Sequence, residues 1–363
     1  MSSPSPVSGG NLGRLILTLA VAGAGGGAAT ALGVAGGWLT GALLSVLLAG
    51  KLGLPLGAPP ALRGAALTFA GLTTGAMITE SGLGSPFTLA VTLLGVVVTT
   101  ALILAASYFA HRLIWRSSPA TSFYCAWPGN TLLALVGAEM NAADLDRVVL
   151  VQSLRLLILV LVLPMVVSGH AVPAAPEGAM MDADLAIGTL LALGCWWMAR
   201  RLGTVGAEMF ITVIVIGLLS YADLLHVTVP QVSISFFQVV VGAFIALALC
   251  RCRMSAVRSA LAPAVVGATI GAAMTLVAAW GLAALIGISP ATAALAYAPG
   301  GAEAMILLAA TFGIDPGFVG THHTLRLIVL SLAFPLVAPL IRPKPPPKAC
   351  TGNSSSSPSN ENA

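Results

Sequence analysis

Long apolar runs fill this chain from near its first residue to residue 341. Charged residues make up only 8% of the sequence, against roughly 25% in an ordinary soluble domain. Many of the runs reach the roughly 20 residues that a helix needs to cross a bilayer core of about 30 Å. They are continuous rather than alternating, which predicts helices instead of a lipid-facing barrel. We therefore expect an all-α polytopic membrane protein. The runs lie near residues 15–33, 38–50, 64–79, 86–110, 120–138, 148–169, 186–199, 204–222, 232–250, 259–287, 291–312 and 319–341.

An internal repeat at a spacing of 171 residues divides the chain into two related halves. The tetrapeptide Ser-Pro-Ala-Thr at 118–121 recurs at 289–292, and the Pro-Gly pair at 128–129 recurs at 299–300, with no gap between them. Each half contains six apolar runs, so the repeat predicts two homologous halves of one fold. The same spacing relates Asp144 to Asp315, Val148 to Val319, Arg155 to Arg326 and Pro164 to Pro335.

Basic residues at the ends of the runs orient the halves. An odd number of crossings per half places nine of them on one side of the membrane, the bias that the positive-inside rule expects. It also inverts the second half relative to the first, as in many secondary transporters. We therefore expect about five spanning helices per half, with one run re-entrant or fused to its neighbour, and favour the glycine-rich first pair for that role. The nine are Lys51, Arg63, Arg112, Arg116, Arg200, Arg201, Arg251, Arg253 and Arg258; Arg14, Arg147, Arg342, Lys344 and Lys348 then fall on the other side.

Composition divides the chain into five segments. Residues 1–10 are rich in Ser, Pro and Gly and are predicted to be a disordered N-terminus, and 343–363 form a disordered tail of similar character. The first membrane repeat covers 11–170 and the second covers 185–342. A linker loop at 171–184, which carries prolines and acidic residues, joins them.

The fifth run of each half is interrupted by proline and glycine. The interruptions are AWPGN at 126–130 and AYAPGG at 296–301. Proline removes a backbone donor, so each run is expected to be a broken helix whose free backbone groups and half-helix dipoles face a ligand near the midplane. A plain kink is the alternative. The residues concerned are Pro128, Gly129, Asn130, Pro299, Gly300 and Gly301.

The sixth run of each half begins with an aspartate. Asp144 and Asp315 suit helix N-caps, and Pro316 directly after Asp315 suits the first helical position. Capping is therefore the expected role of both aspartates, in preference to a role in ligand binding.

An arginine lies about 15 Å further along each of these helices, near the middle of the bilayer. Such a charge needs a carboxylate, a bound anion or the carbonyl end of a broken helix. Arg155 and Arg326 therefore either bind a ligand or neutralise the end of the half-helix beside them. Gln152 and His323 stand three residues earlier on the same helical face and are candidates for the same polar track.

Glu303 breaks the repeat, because its counterpart is Leu132. It follows Gly300 and Gly301, where the N-terminus of a half-helix would stabilise its charge. We expect it to be a coupling site for a proton or a cation. A structural ion pair with Arg326 is the alternative.

Metal sites and disulfides are not predicted. His322 and His323 are adjacent, but no carboxylate at a ligand-like spacing accompanies them. The five cysteines are odd in number and scattered, which is typical of packing. No catalytic residue, metal or cofactor is expected.

A group of these residues carries a family resemblance. Pro-Gly-Gly-Ala-Glu at 299–303, Gly-Ile-Asp at 313–315, Val319, His323 and Arg326 resemble the bacterial AbrB membrane proteins, a duplicated family distinct from the small DNA-binding regulator of the same name. The resemblance covers about residues 15–341. Asn130 departs from it, because a second glycine is expected there. The weaker first copy consists of Pro128, Gly129, Asp144, Arg147, Val148, Gln152 and Arg155.

The resemblance implies a multi-pass protein of the bacterial cytoplasmic membrane, with members described as regulators of gene expression or as ammonia monooxygenases. We favour a secondary transporter or exporter of a small solute, with an anion as one option. Indirect regulation of gene expression is the alternative, and an oxidase is a remote one because histidines are sparse. The expected partners are the lipid bilayer and the solute, without direct nucleic-acid binding; a homo-oligomer is left open.

Overall fold

The computed structural model describes residues 9–78, 85–129, 131–167, 183–202, 207–250 and 252–341. These residues form fourteen α-helices and no strand. The predicted tail, most of the predicted N-terminus and linker, and Asn130 lie outside the described residues. The helices are α1 Gly9–Ala31, α2 Gly37–Lys51, α3 Pro60–Ala76, α4 Pro86–Ile114, α5 Pro119–Ala126, α6 Thr131–Met140, α7 Leu145–Val167, α8 Ala183–Leu202, α9 Ala207–Tyr221, α10 Gln231–Cys250, α11 Met254–Ile286, α12 Pro290–Tyr297, α13 Ala302–Thr311 and α14 Pro316–Val337.

Six of the described helices are long and apolar enough to cross a membrane, namely α1, α4, α7, α10, α11 and α14. Their outward faces carry many large apolar side chains that no other part of the described chain covers, such as Leu94 on α4 and Val277 on α11. The predicted class, an all-α protein compatible with multiple membrane crossings, is confirmed.

The helix bounds follow the spacing seen in the sequence. α5 and α12 begin at Pro119 and Pro290, each directly after a serine, because proline suits the first helical position. α6 and α13 begin at Thr131 and Ala302, again 171 residues apart. The bounds agree with a duplication, which itself stays an inference from the sequence.

Hydrogen bonds between helix ends fix the direction of the first helices. Gly57, just before α3, donates its N–H to Thr18 Oγ in the first half of α1 at 2.9 Å, and it also lies close to Arg14, nearer the start of that helix. The start of α1 therefore lies beside the end of α2 and the start of α3. Lys51 at the end of α2 donates to the carbonyls of Leu249 and Cys252, which places the end of α10 there too. We call this side of the bundle the basic side.

The interrupted run of the first half is a hairpin. The N–H of Asp144 donates to Thr121 Oγ at 3.0 Å, and the Asn141 amide donates to the Tyr124 hydroxyl. A continuous helix would separate residues 121 and 144 by about 34 Å. The chain therefore turns at 127–130 and α6 returns to the basic side, where α5 began. The interruption lies where the sequence predicts it, but it reverses the chain instead of kinking a spanning helix.

The second half contains the same arrangement from the other side. His323 and Arg326 on α14 hydrogen-bond the carbonyls of Leu295 and Ala298, each 28 residues earlier, so α12 and α14 run parallel and α13 must return between them. Gly317 at the start of α14 packs on Met77, which follows the end of α3. The second hairpin therefore enters from the side opposite the basic side.

Two expectations about topology are wrong because the Pro-Gly run turns back. They are the re-entrant role of the glycine-rich first pair and the side on which Arg14 and Arg147 lie. α1 and α2 are separate antiparallel helices, so the re-entrant element of each half is the Pro-Gly run and not the glycine-rich first pair. Since α2 runs back along α1 and the first hairpin returns, Arg14 and Arg147 lie on the basic side with Lys51, not opposite to it. Arg342, Lys344 and Lys348 lie outside the described residues. Besides the hairpins, five described helices of each half run from one side of the bundle to the other, and six of these ten are long and apolar enough to cross a membrane.

The helices form two layers. α1–α3 and α8–α10 pack together as a layer that we call the panel, and α4, α7, α11 and α14 surround the two hairpins as the hairpin layer. Within the panel, α3 packs on α9 and α10 packs on α2, so the two halves interlock. Gly71 and Gly242 permit these approaches, because a Cβ atom at either position would collide with the backbone of the partner helix.

The opposite entrance of the two hairpins can be tested with one matched pair of cysteines. Ser118 and Ser289 are equivalent, exposed residues that directly precede the two hairpins. In a chain whose five cysteines are replaced, a membrane-impermeant maleimide should label Ser118→Cys and Ser289→Cys from opposite sides of sealed vesicles. Labelling of both from the same side would contradict the topology.

Candidate functional site

The two hairpin tips meet at a cavity of about 310 Å³ between the panel and the hairpin layer. Gly129 of the first tip and Pro299, Gly300 and Gly301 of the second line it. The remaining lining residues come from α7, α14, the second arms of the hairpins and the panel. They are Arg63, Leu67, Thr131, Gln152, Arg155, Leu156, Ala207, Met209, Phe210, Ala302, Glu303, Leu327 and Ser331.

A second cavity of about 410 Å³ continues the first toward the basic side. The two share Arg63, Gln152 and Glu303 among their lining residues. The second cavity extends to Ala58 and Pro60, around the start of α3. The central space therefore reaches the side of the bundle on which the basic residues lie.

Arg155 binds the carbonyl end of the first hairpin arm. Its Nη2 donates to the Trp127 carbonyl at 2.9 Å and to Gln152 Oε1 at 2.7 Å, and its Nη1 reaches the Ala126 carbonyl at 3.4 Å. Gln152 Nε2 donates in turn to the carbonyls of Trp127 and Tyr124. The guanidinium and the amide thus satisfy the carbonyls that α5 leaves free at its end.

Arg326 does the same for the second hairpin. It donates to the Ala298 carbonyl at 2.6 Å and to the Gly300 carbonyl at 3.2 Å. Its Nη2 also lies 2.7 Å from His323 Nδ1, while His323 Nε2 lies 2.9 Å from the Leu295 carbonyl. Arginine can only donate, so Nδ1 accepts and the proton of a neutral His323 is on Nε2.

Gln152 and His323 are therefore chemically equivalent relays. Each accepts from an arginine on its own helix. Each also donates to a carbonyl on the first arm of its own hairpin, which is α5 for Gln152 and α12 for His323. The two arginines serve the structural role that the sequence left as one of two options. The two arginines differ in their access to the cavity. Arg155 lines it, whereas Arg326, which is 2% exposed, does not.

Glu303 lies in the first turn of α13 and lines both cavities. Its carboxylate folds back over the tip, because a Cβ on Gly301 would lie 3.2 Å from Oε2. Among the described residues the carboxylate makes no ion pair, with Arg326 or any other base. The structure thus does not contain the pair with Arg326 that was the alternative. The side chain of Leu132 lies outside the description.

The two predicted aspartate caps accept backbone hydrogen bonds, and His322 packs against aromatic rings. Asp315 accepts from the N–H groups of Gly317 and Phe318, and Asp144 accepts from Arg147 N–H at 3.1 Å, so both lie at helix starts as N-caps do. His322 is fully buried against the rings of Phe318 and Tyr297. In the described part of the chain no three His, Cys, Asp or Glu residues are grouped to hold a metal.

Sequence reasoning missed the panel's share of the site. Arg63 and Leu67 on α3, and Met209 and Phe210 on α9, line the cavity from the side opposite the tips. The sequence pattern indicates for Arg63 only a position at the end of a membrane segment. The sequence does contain one indication that Arg63 belongs to the site, because it is the one charged residue within α3.

A family model described as "Transition state regulatory protein AbrB" matches residues 38–342. The matched range includes both hairpins, α7, α14 and every residue that lines the central cavity. No curated protein and no solved structure matches the chain.

The equivalence of Gln152 and His323 leads to a stability prediction. His323→Gln should leave thermal stability nearly unchanged, because glutamine already performs the same relay beside Arg155. His323→Leu should cost about 1–3 kcal/mol, because it leaves the Leu295 carbonyl and one guanidinium donor unpaired. Thermal unfolding of both purified variants against the parent checks this. Equal losses in the two variants would contradict the relay.

Proposed function

Because this chain belongs to the AbrB family, whose regulatory description names no chemistry at the site, we propose from the geometry that it is a secondary transporter of a small solute. One observation carries the proposal: two hairpins enter from opposite sides and their tips meet at a cavity beside Arg155 and Glu303. A solute bound there touches elements that reach both sides of the bundle. Irregular backbone at this depth is typical of transporter binding sites, where it lines a cavity.

Close packing on one side of the cavity supports alternating access. On the side opposite the basic side, Gly36 packs against Leu308 and Pro164, and Gly320 packs against Thr74. The second cavity runs between α3, α7 and α10 and extends toward the basic side. We propose that this structure is the state open to the basic side. Movement of the hairpin layer against the panel would open the other side.

The charge distribution supports an orientation in a bacterial cytoplasmic membrane. The basic side carries arginines from both halves, including Arg63, Arg112, Arg200 and Arg258, whereas the described residues of the other side include Asp184, Asp223 and Asp315. The positive-inside rule then places the basic side in the cytoplasm. The state proposed above is accordingly open inward.

The family's regulatory description fits this proposal indirectly. A transporter changes the internal level of its solute, and gene expression responds to that level without contact between this chain and DNA. We do not propose an oxidase, since copper or iron needs a set of coordinating side chains and the described residues offer no such group.

The proposal predicts which side chains transport requires. In proteoliposomes, Arg155→Gln and Glu303→Gln should each reduce uptake at least about tenfold, because both residues line the cavity. The substrate for the assay is the solute that most stabilises the purified protein in a thermal-shift screen.

Matched controls separate a role at the site from a change of charge. Arg258→Gln and Glu139→Gln remove the same charges at exposed positions away from the cavity and should transport like the parent. Full uptake by folded Arg155→Gln and Glu303→Gln would contradict the proposed site. Absence of transport for every solute that binds would contradict the proposed function.

A further inference from the structure

The helix ends at the two tips are not electrically equal. α5 and α12 end at the tips, and their carbonyl ends are neutralised by Arg155 and Arg326. α6 and α13 begin at the tips, and their first residues, Thr131 and Ala302, line the cavity. The positive ends of these two helices therefore face the cavity while the negative ends are already occupied. This arrangement favours an anion.

The charged side chains that line the cavity also favour an anion. The described residues that line the two cavities include three charges, Arg63, Arg155 and Glu303, which sum to one positive charge before the carbonyl end of α5 that Arg155 binds is counted. Arg155 is 6% exposed and its charge is little screened by water. Basic residues around the cytoplasmic-facing mouth would also draw anions toward it.

The walls restrict the rest of the ligand. Leu67, Met209 and Phe210 of the panel and Leu156 and Leu327 of the hairpin layer present apolar surface. The cavity at the tips, of about 310 Å³, lies at the lower end of the range of about 300–1,000 Å³ for drug-sized ligands, so this part of the central space suits a small molecule. The polar lining groups are few, with Arg63 on the panel and the others nearer the tips, so a sugar or a tricarboxylate would leave most of its oxygens against hydrocarbon. One carboxylate on a short apolar body fits this surface.

Glu303 competes with such a ligand. Its carboxylate occupies the first turn of α13, at the same positive helix end that would bind the anion. Two negative charges at this end would repel each other. The titratable residues on the elements around α13 are Arg63 on α3, Asp146, Arg147 and Arg155 on α7, Cys250 on α10, Tyr297 on α12, and His322, His323 and Arg326 on α14.

We propose that the solute is a small monocarboxylate with an apolar body and that one proton bound by Glu303 accompanies it. The inference rests on the transporter function proposed above. The anion and the proton together carry no net charge. One transport event therefore moves no net charge across the membrane. The proton comes from water on one side and returns to water on the other.

Three probes with one carbon skeleton test the ligand class. Isovalerate, isovaleramide and isoamylamine are respectively an anion, a neutral amide and a cation. At 10 mM each with the purified full-length chain, isovalerate should raise the unfolding temperature by roughly a few degrees and the other two should not. Stabilisation by the amine or the amide alone would overturn the assignment.

Calorimetry in two buffers of different ionisation enthalpy tests the proton. Isovalerate binding by the parent should take up close to one proton per ligand and should be weaker at pH 8 than at pH 6. Glu303→Gln should bind isovalerate with no proton uptake, whereas Glu139→Gln, an exposed position on α6, should behave like the parent. Proton uptake that persists in Glu303→Gln would overturn the role of this residue.

Transport separates the two proposals. If neutral or cationic solutes cross in proteoliposomes and isovalerate neither binds nor crosses, the ligand class is wrong and the transporter function stands. If isovalerate binds as described but neither it nor any other solute crosses, the transporter function fails and the binding site stands.

Discussion

The constraint on which this structure depends is that a helix ending inside a membrane leaves backbone carbonyls without partners. Each unsatisfied group costs several kcal/mol in hydrocarbon, so a hairpin that turns near the midplane needs donors at its tip. Arg155 and Arg326 supply them, and Gln152 and His323 extend the network to the preceding turn. A buried guanidinium is itself expensive, and the carbonyl ends of the helices provide its compensating negative charge.

This solution also explains why the site is electrically one-sided. Once the arginines have neutralised the ends of α5 and α12, the starts of α6 and α13 remain unbalanced at the cavity. In the proposed mode of binding, structure and recognition are thus consequences of the same helix dipoles. Glu303 is the one acidic residue in the described cavity lining, and it lies at one of these positive ends.

Much of this arrangement could be predicted from the sequence. The interruptions at 126–130 and 296–301, the aspartate caps and the depth of the two arginines follow from proline chemistry, helix rise and apolar length. The return of α6 could not be predicted, because a run of about 20 apolar residues has the same composition whether it crosses or turns back. Arg14 and Arg147 were consequently placed on the wrong side. The role of Arg63 was missed because it depends on the packing of α3 against the hairpins, which is a tertiary property.

The most direct test of the account is a disulfide across the first hairpin. In a chain without its native cysteines, Thr121→Cys and Asp144→Cys replace residues whose Oγ and backbone N atoms lie 3.0 Å apart. The account predicts that mild oxidation in membranes joins them within one chain, as detected by mass spectrometry of the digested protein. Both thiols staying free and reactive under the same oxidation would show that the Pro-Gly run crosses the membrane, and would contradict the hairpin on which the proposed site depends.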